Sequence, residues 1–179
     1  MKYAAIALMC LTGAAHAESF CGVTDEGVIL SDLSNTLQMG AKWDLTGALT
    51  FSQGGEGFTD PLVGIVTLTS LGMISLEVGG SRGDNLFLAP NKGSYDDEDL
   101  AKLFTRTGTE WITQEVAESP CNLNEVLQMR GTYDDPNGDL NQVSIVPYSS
   151  DHVVMIAEIE ALTEGGLAFV TIVGLMTRQ

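Results

Sequence analysis

Basic side chains are scarce in this 179-residue sequence, in which 8 Lys and Arg residues face 24 Asp and Glu residues, for a formal net charge of −16. Contacts to nucleic-acid phosphates come mainly from Lys and Arg, and anionic lipid surfaces attract the same two residue types. We therefore expect neither nucleic acid nor an anionic membrane surface as a partner. The acidic excess is typical of a well-solvated protein surface.

Histidine and cysteine are also scarce, at 2 and 3 residues. His16 and Cys10 lie in the N-terminal leader, which leaves His152, Cys21 and Cys121 for the folded chain. That set is too small for a zinc centre, and the sequence contains neither a phosphate-binding glycine loop with a lysine nor a dinucleotide-binding fingerprint. The sequence therefore predicts no metal site and no cofactor.

The N-terminal apolar run, 4–11, is too short to span a bilayer by itself. It follows the basic Lys2 and precedes a small-x-small site that ends at Ala17, so 1–17 are predicted to be a secretory signal peptide. Cleavage near Ala17 leaves 18–179, whose length fits a single β-rich domain. The expected location is the periplasm or the extracellular medium.

Cys21 and Cys121 form an even pair in a chain that is predicted to reach an oxidising compartment, so we expect them to form a disulfide. The competing interpretation is a reactive thiol pair, but no C-x-x-C spacing supports it. The bond would close a loop of about 100 residues and stabilise the fold by roughly 4–5 kcal/mol in the chain-entropy model. We expect no titratable thiol in the mature protein without reductant.

The stretch 152–177 holds two long apolar runs separated by Thr163-Glu164-Gly165-Gly166, a pattern that predicts a β-hairpin. In the first run one parity is apolar throughout, and the other turns polar at Glu158 and Glu160. Both parities of the second run are apolar. That pattern is typical of a strand covered on both sides or of one that lines a closed barrel.

The second half of the chain predicts a four-strand antiparallel meander, with strands at 125–133, 140–147, 152–162 and 166–177. Alternating apolar and polar residues predict a further strand in the first half at 43–52 and one or two strands over 64–78, since Ser70-Leu71-Gly72 fits either a bulge or a tight reversal. We also expect a short strand at 111–116.

One helix is predicted near residues 95–106, with Ser94 as its cap and an apolar stripe of Leu100, Leu103 and Phe104. Acidic residues fill its first turn, where they meet the positive end of the helix dipole. The fold class is therefore all-β, a mainly antiparallel barrel or sandwich with one short α-helix.

Residues 79–83, Gly-Gly-Ser-Arg-Gly, match the G-x-S-x-G pattern of a hydrolase nucleophile elbow. That chemistry needs a strand, a sharp turn and a helix, but the motif is followed by a short apolar run that ends at Pro90. A triad would have to combine Ser81 with His152. A glycine-rich turn is the preferred interpretation, and no catalytic residue is assigned.

Two acidic groups allow other chemistry. Residues Asp134–Asp139 resemble a calcium loop in composition but fail the EF-hand spacing, so a turn is preferred over a weak cation site. Glu158 and Glu160 share one face of a strand and could be an acid–base pair. Their place near a hairpin end favours a solvated edge.

Three classes of function remain compatible with these patterns. The preferred class is an exported, non-catalytic binding or interaction protein, of which a small barrel holding an apolar ligand is one form. The second is an outer-membrane β-barrel protein, which sparse aromatic residues and the lack of a polar lumen face on 166–177 disfavour. The third is a serine hydrolase that uses Ser81 and His152.

Overall fold

The computed structural model describes residues 23–24, 27–28, 40–70, 73–78, 81–82, 86–87, 89–92, 95–117, 127–134, 140–148 and 151–179. The predicted signal peptide, Cys21, Cys121, the glycines of the 79–83 motif and the 135–139 turn lie outside these residues. The strands are β1 (Val23–Thr24), β2 (Gly27–Val28), β3 (Lys42–Gln53), β4 (Glu56–Ser70), β5 (Met73–Val78), β6 (Ser81–Arg82), β7 (Leu86–Phe87), β8 (Ala89–Lys92), β9 (Leu127–Asp134), β10 (Leu140–Pro147), β11 (His152–Thr163) and β12 (Gly166–Arg178). The helices are α1 (Asp97–Thr107) and α2 (Trp111–Val116).

The long strands form an antiparallel sheet in the order β6-β5-β4-β3-β12-β11-β10-β9-β8. β7 and β8 are separated by a single residue and together close this sheet into a ring. β7 pairs with β5 through Phe87↔Met73, and β8 pairs with β9 through Ala89↔Arg130. Counting β7 and β8 together as one member, the described part of the ring has eight members, so the all-β fold is a barrel and not a sandwich. Closure removes the unpaired edges that an open sheet would present.

The predicted meander is confirmed. β9, β10, β11 and β12 pair in sequence, each antiparallel to the next, and the register of the final hairpin runs from His152↔Thr177 to Thr163↔Gly166. Because successive side chains of a strand point to opposite faces, every second residue of each strand faces the inside of the ring.

An inner apolar cluster fills one face of the wall. Its buried members are Trp43, Leu45, Leu62, Val66, Met129, Val143, Ile145, Val153, Met155, Ala157, Ile172 and Met176. A second cluster on the opposite face joins strand residues to both helices. Its members are Leu100, Leu103, Phe104, Ile112, Val116, Val146, Tyr148, Val154, Ile156, Val173 and Leu175. The interior of an eight-stranded barrel holds little more than side chains, so the helices lie outside.

The doubly apolar character of β12 follows from this arrangement. Ile172 and Met176 belong to the inner cluster, whereas Val173 and Leu175 lie beneath the helices in the outer cluster. Residues 172–176 of β12 are therefore buried on both faces within a closed barrel, as the composition of the strand predicts.

α1 begins and ends at strong capping residues. Its N-cap is Asp96, whose Oδ1 accepts a hydrogen bond from the Asp99 backbone N–H at 2.8 Å. The prediction of Ser94 as the cap is therefore wrong, because the helix starts two residues later. Gly108 ends the helix with a φ of 68°, a left-handed conformation that glycine adopts without steric cost.

The predicted strand at 111–116 is wrong, because these residues form α2. Ile112 and Val116 are buried and Trp111 is partly exposed. A spacing of four residues fits one face of a helix as well as one face of a strand, so six residues do not distinguish the two periods. The described chain therefore has two short helices. Neither is long and apolar enough to pass through a membrane.

Candidate binding groove on the outer wall

The residues of the hydrolase hypothesis lie on distant strands. Ser81 pairs with Val78 at the edge hairpin of β5 and β6, and His152 pairs with Thr177 at the start of β11. Four strands, β5, β4, β3 and β12, lie between them in the sheet order. The fold therefore does not bring this serine and this histidine together. Among the side chains that are described, no group of three or more His, Cys, Asp or Glu could hold a metal ion.

Glu158 and Glu160 both face outward from β11, but only Glu160 is a solvated edge residue. Glu158 is half-buried, and its Oε2 accepts hydrogen bonds from Tyr95 Oη and Gln142 Nε2, each at 3.1 Å. The expectation of a solvated edge is therefore wrong for Glu158. It fails because the partners come from elements that are distant in the sequence.

A polar row crosses four neighbouring strands at the level of Glu158. The register aligns Gln142 with Glu158, Glu158 with Thr171, and Thr171 with Thr50. Neighbouring strands lie about 4.8 Å apart, so this row extends for about 14 Å. In the next row towards the hairpin tips, Phe169 lies between Ser52 and Glu160.

Helix α1 covers the apolar rows and leaves the polar row open. Beneath the helix, Phe104 packs in the outer cluster with Ile156 and Val173, which are aligned across β11 and β12. One row further on, the strand residues turn polar, and Arg106 in the last turn of the helix lines the same groove as Glu158.

The space at this boundary is a groove of about 530 Å³. Its polar lining includes Thr50, Ser52, Arg106, Gln142, Glu158 and Glu160, and Phe169 adds an aromatic ring. A smaller recess of about 250 Å³ lies against Tyr95 and Lys102 and shares Arg106 and Glu158 with the groove. We call the larger space the outer groove.

Arg106 and the two carboxylates line the outer groove without direct contact. Among the described ion pairs, Lys102 contacts Glu98 at 2.6 Å, and Arg106 has no carboxylate in contact. A guanidinium is always charged at physiological pH and presents five donors in a planar fork. The groove therefore holds a positive group and two acidic side chains with space between them.

Tyr95 fixes Glu158 from outside the groove. Gln128 is fully buried and bonds both backbone groups of Tyr95, accepting from its N–H at 3.0 Å and donating to its C=O at 2.7 Å. The Arg130 guanidinium lies 5.7 Å from the centre of the Tyr95 ring, and its Nε donates to Ser144 Oγ at 3.2 Å. Burial, together with the nearby Glu158 carboxylate, raises the pKa of Tyr95 above its ordinary value, so the phenol stays a donor to Glu158.

Sequence patterns identified Glu158 and Glu160 but missed the other residues of the outer groove. Arg106 was expected only as a basic residue late in a helix, and Gln142 and Phe169 were expected only as strand residues. The signal that could have found the strand residues is the cross-strand register, which aligns polar residues of four strands. That register depends on which strands pair.

No protein-family model and no curated protein matches this chain. Among solved structures, the chain is similar to Ail, the attachment invasion locus protein of Yersinia pestis, in a structure with the heparin analogue sucrose octasulfate. The sequence identity is 8%, the alignment covers 79% of this chain and 100% of that chain, and the TM-score is 0.30. A similarity of that size carries no argument about function.

Proposed function

We propose that the protein is an exported, non-catalytic binding protein that takes up a small molecule in the outer groove. The observation that carries the proposal is the lining of that groove, where Arg106, Glu158, Gln142 and Phe169 converge on one space. Ligand pockets typically enclose about 300–1,000 Å³ and combine an apolar surface with a few placed polar groups. The outer groove, at about 530 Å³, falls within that range.

The outer wall suits binding because most of the groove is built on paired strands. Every lining residue except Arg106 lies in a paired strand of the closed barrel, and Glu158 is further fixed by Tyr95 and Gln142. Side chains held by packing and hydrogen bonds lose less entropy when a ligand binds.

The outer groove supports a ligand better than the described interior does. The sequence alone suggested an apolar ligand inside the barrel. The inner cluster, however, consists of packed side chains such as Trp43, Ile145 and Met155, which are fully buried against one another. An apolar ligand there would have to displace them.

The distribution of side chains favours this class over an outer-membrane barrel. A transmembrane barrel presents apolar residues to lipid and polar residues to its lumen. In the described wall the inner cluster is apolar, whereas Thr50, Thr171 and Glu158 face outward and two helices cover part of the exterior. A bilayer would leave these outward polar groups without water.

Binding without catalysis is supported by the placement of the reactive groups. Glu158 and Glu160 are two residues apart on one strand, so their Cα atoms are about 7 Å apart and both side chains lie on the same side of a ligand. Paired catalytic carboxylates instead flank the bond that they cleave. Ser81 and His152 lie on distant strands.

NMR of the mature chain tests the proposal. We would record ¹⁵N–¹H spectra with and without the small-molecule fraction of a periplasmic extract. Shifts at Ser52, Glu160, Phe169 and Thr171 are expected. Shifts confined to interior residues such as Met155 would move the site into the barrel, and an unchanged spectrum would reject the binding function. Intact mass of the periplasmic protein tests export, since cleavage near Ala17 predicts a chain that begins at Glu18.

A further inference from the structure

We infer that the outer groove recognises a zwitterionic small molecule with an apolar substituent, an α-amino acid or a dipeptide. This inference rests on the proposed function and names the chemistry of its ligand. The ligand carboxylate would bind Arg106, its ammonium group would bind Glu158 and Glu160, and its side chain would contact Phe169.

The guanidinium of Arg106 is the first observation. Arg106 lies in the last turn of α1, lines both the outer groove and the smaller recess, and contacts no described carboxylate. The planar fork of arginine matches a carboxylate in a bidentate geometry. A ligand carboxylate is therefore the group that satisfies this side chain best.

The two carboxylates of the outer groove can accept a cation. Glu158 Oε2 already accepts two hydrogen bonds, from Tyr95 and Gln142. A carboxylate has about four acceptor sites, so Glu158 can still accept an ammonium N–H. Glu160 is exposed two residues further along the same face, and the net charge of −16 adds a long-range attraction for cations.

Phe169 supplies the apolar contact. Its side chain remains 45% exposed, although it lies directly opposite Glu160 in the register of the final hairpin. An exposed aromatic ring next to charged groups provides a surface for an apolar substituent, and covering it removes apolar area from water. The groove thus places a positive group, two negative groups and an aromatic ring around one space.

The arrangement discriminates against ligands with a single charge. An anion alone would satisfy Arg106 but would face both carboxylates, and a cation alone would leave the guanidinium without a partner. Only a ligand that carries both charges pairs both sides of the groove. The presence of both charges on one ligand is therefore the property to test.

Isothermal titration of the mature chain provides the test, with L-phenylalanine and L-leucyl-L-phenylalanine as probes. N-acetyl-L-phenylalanine lacks the ammonium group, and L-phenylalaninamide lacks the carboxylate. We expect at least one zwitterion to bind, and its singly charged analogues to bind about 10- to 100-fold more weakly, since each loses a charge-assisted hydrogen bond. These comparisons use the unmodified protein and do not depend on the folding of a variant.

Two variants assign each charge to its residue. Arg106→Gln should weaken the zwitterion about tenfold or more and leave L-phenylalaninamide unchanged. Glu158→Gln should weaken the zwitterion and L-phenylalaninamide and leave N-acetyl-L-phenylalanine unchanged. Lys42→Gln and Glu56→Gln are matched controls on exposed positions of the barrel, make the same changes in net charge, and should bind as the unmodified chain does.

Each contrary outcome has a defined meaning. If neither zwitterion binds, or if a singly charged analogue binds as tightly as the zwitterion, the inference is overturned. If the periplasmic fraction still shifts Glu160 and Phe169 in that case, the proposed binding function stands and only the ligand class is wrong. If the fraction shifts nothing, the proposed function has failed as well.

Discussion

Gly47 and Gly174 form a direct cross-strand pair between β3 and β12, and neither position has room for a methyl group. A Cβ at Gly47 would overlap the backbone carbonyl oxygen of Val173 and would lie 2.5 Å from the Cα of Gly174. A Cβ at Gly174 would lie 2.5 Å from Leu45 Cδ1 and 3.0 Å from the Thr46 carbonyl oxygen. The two strands therefore approach closely at a point where both residues must be small.

The first prediction ranks the two glycines. Gly47→Ala should lower the free energy of unfolding by about 3 kcal/mol, because its new methyl group meets backbone atoms that cannot move aside. Gly174→Ala should cost about 1–2 kcal/mol, because its nearest obstacle is the end of a flexible leucine. Urea unfolding measures both values, with Ser52→Ala on the exposed face of β3 as the control. An equal or larger loss for Gly174→Ala would contradict the geometry.

The second prediction concerns the attachment of α1 to the barrel. Phe104 is only 3% exposed and packs in the outer cluster, so Phe104→Ala should cost about 3–5 kcal/mol. Lys102→Ala on the exposed side of the same helix removes the pair with Glu98 and should cost at most about 0.5 kcal/mol. Thermal and urea unfolding would measure both. Similar losses for the two variants would mean that α1 is not held by its apolar face.

The third prediction concerns Gln128, which joins β9 to the segment before α1. Gln128→Leu would leave the N–H and C=O of Tyr95 without their partner and should cost about 1–3 kcal/mol. The Tyr95 amide should also exchange faster with deuterium. Gln114→Leu, on the exposed side of α2, is the control. An unchanged Tyr95 exchange rate in Gln128→Leu would show that these hydrogen bonds do not hold the segment.

The fourth prediction is a loss of stability at alkaline pH. Burial raises the pKa of Tyr95 and of Tyr148, with the carboxylates of Glu158 and Asp97 as the respective secondary causes. The ordinary tyrosine pKa is about 10, so the unfolded chain releases these protons first. The stabilising contribution is therefore complete below about pH 10 and is lost as the pH rises from there towards the folded pKa values.

The test compares the pH dependence of unfolding in two proteins. Above about pH 10 the free energy of unfolding should fall less steeply in the double variant with Tyr95→Phe and Tyr148→Phe than in the unmodified chain. The slope with pH is the readout, because either substitution can also change stability at neutral pH. Parallel slopes would mean that these phenols are not shifted.

Much of the strand content could be predicted from the sequence. The meander β9–β12 follows from alternation and turn residues, since each strand's parity is visible in its own ten or so residues. The same local signal failed at α2, where six residues fit either period, and at the start of α1, where Ser94 and Asp96 are both good caps. Short segments therefore mark the limit of local patterns.

The candidate site, in contrast, depends on residues that are distant in the sequence. Glu158 was expected to be solvated, and it is half-buried because Tyr95 reaches it from a segment 63 residues away in the chain. Arg106 lies at the end of a helix and Phe169 lies in the last strand, yet both side chains line the same groove.

Local alternation determined that this chain forms β-strands and which parity of each strand is apolar, because neighbouring residues alone set those preferences. Tertiary structure decided that the strands close into a barrel, since the closure is made by β7 pairing with β5 and β8 pairing with β9. It also decided that Arg106 of α1 lines the same groove as the polar row of β11. Both outcomes depend on the packing of distant segments, which no local pattern records.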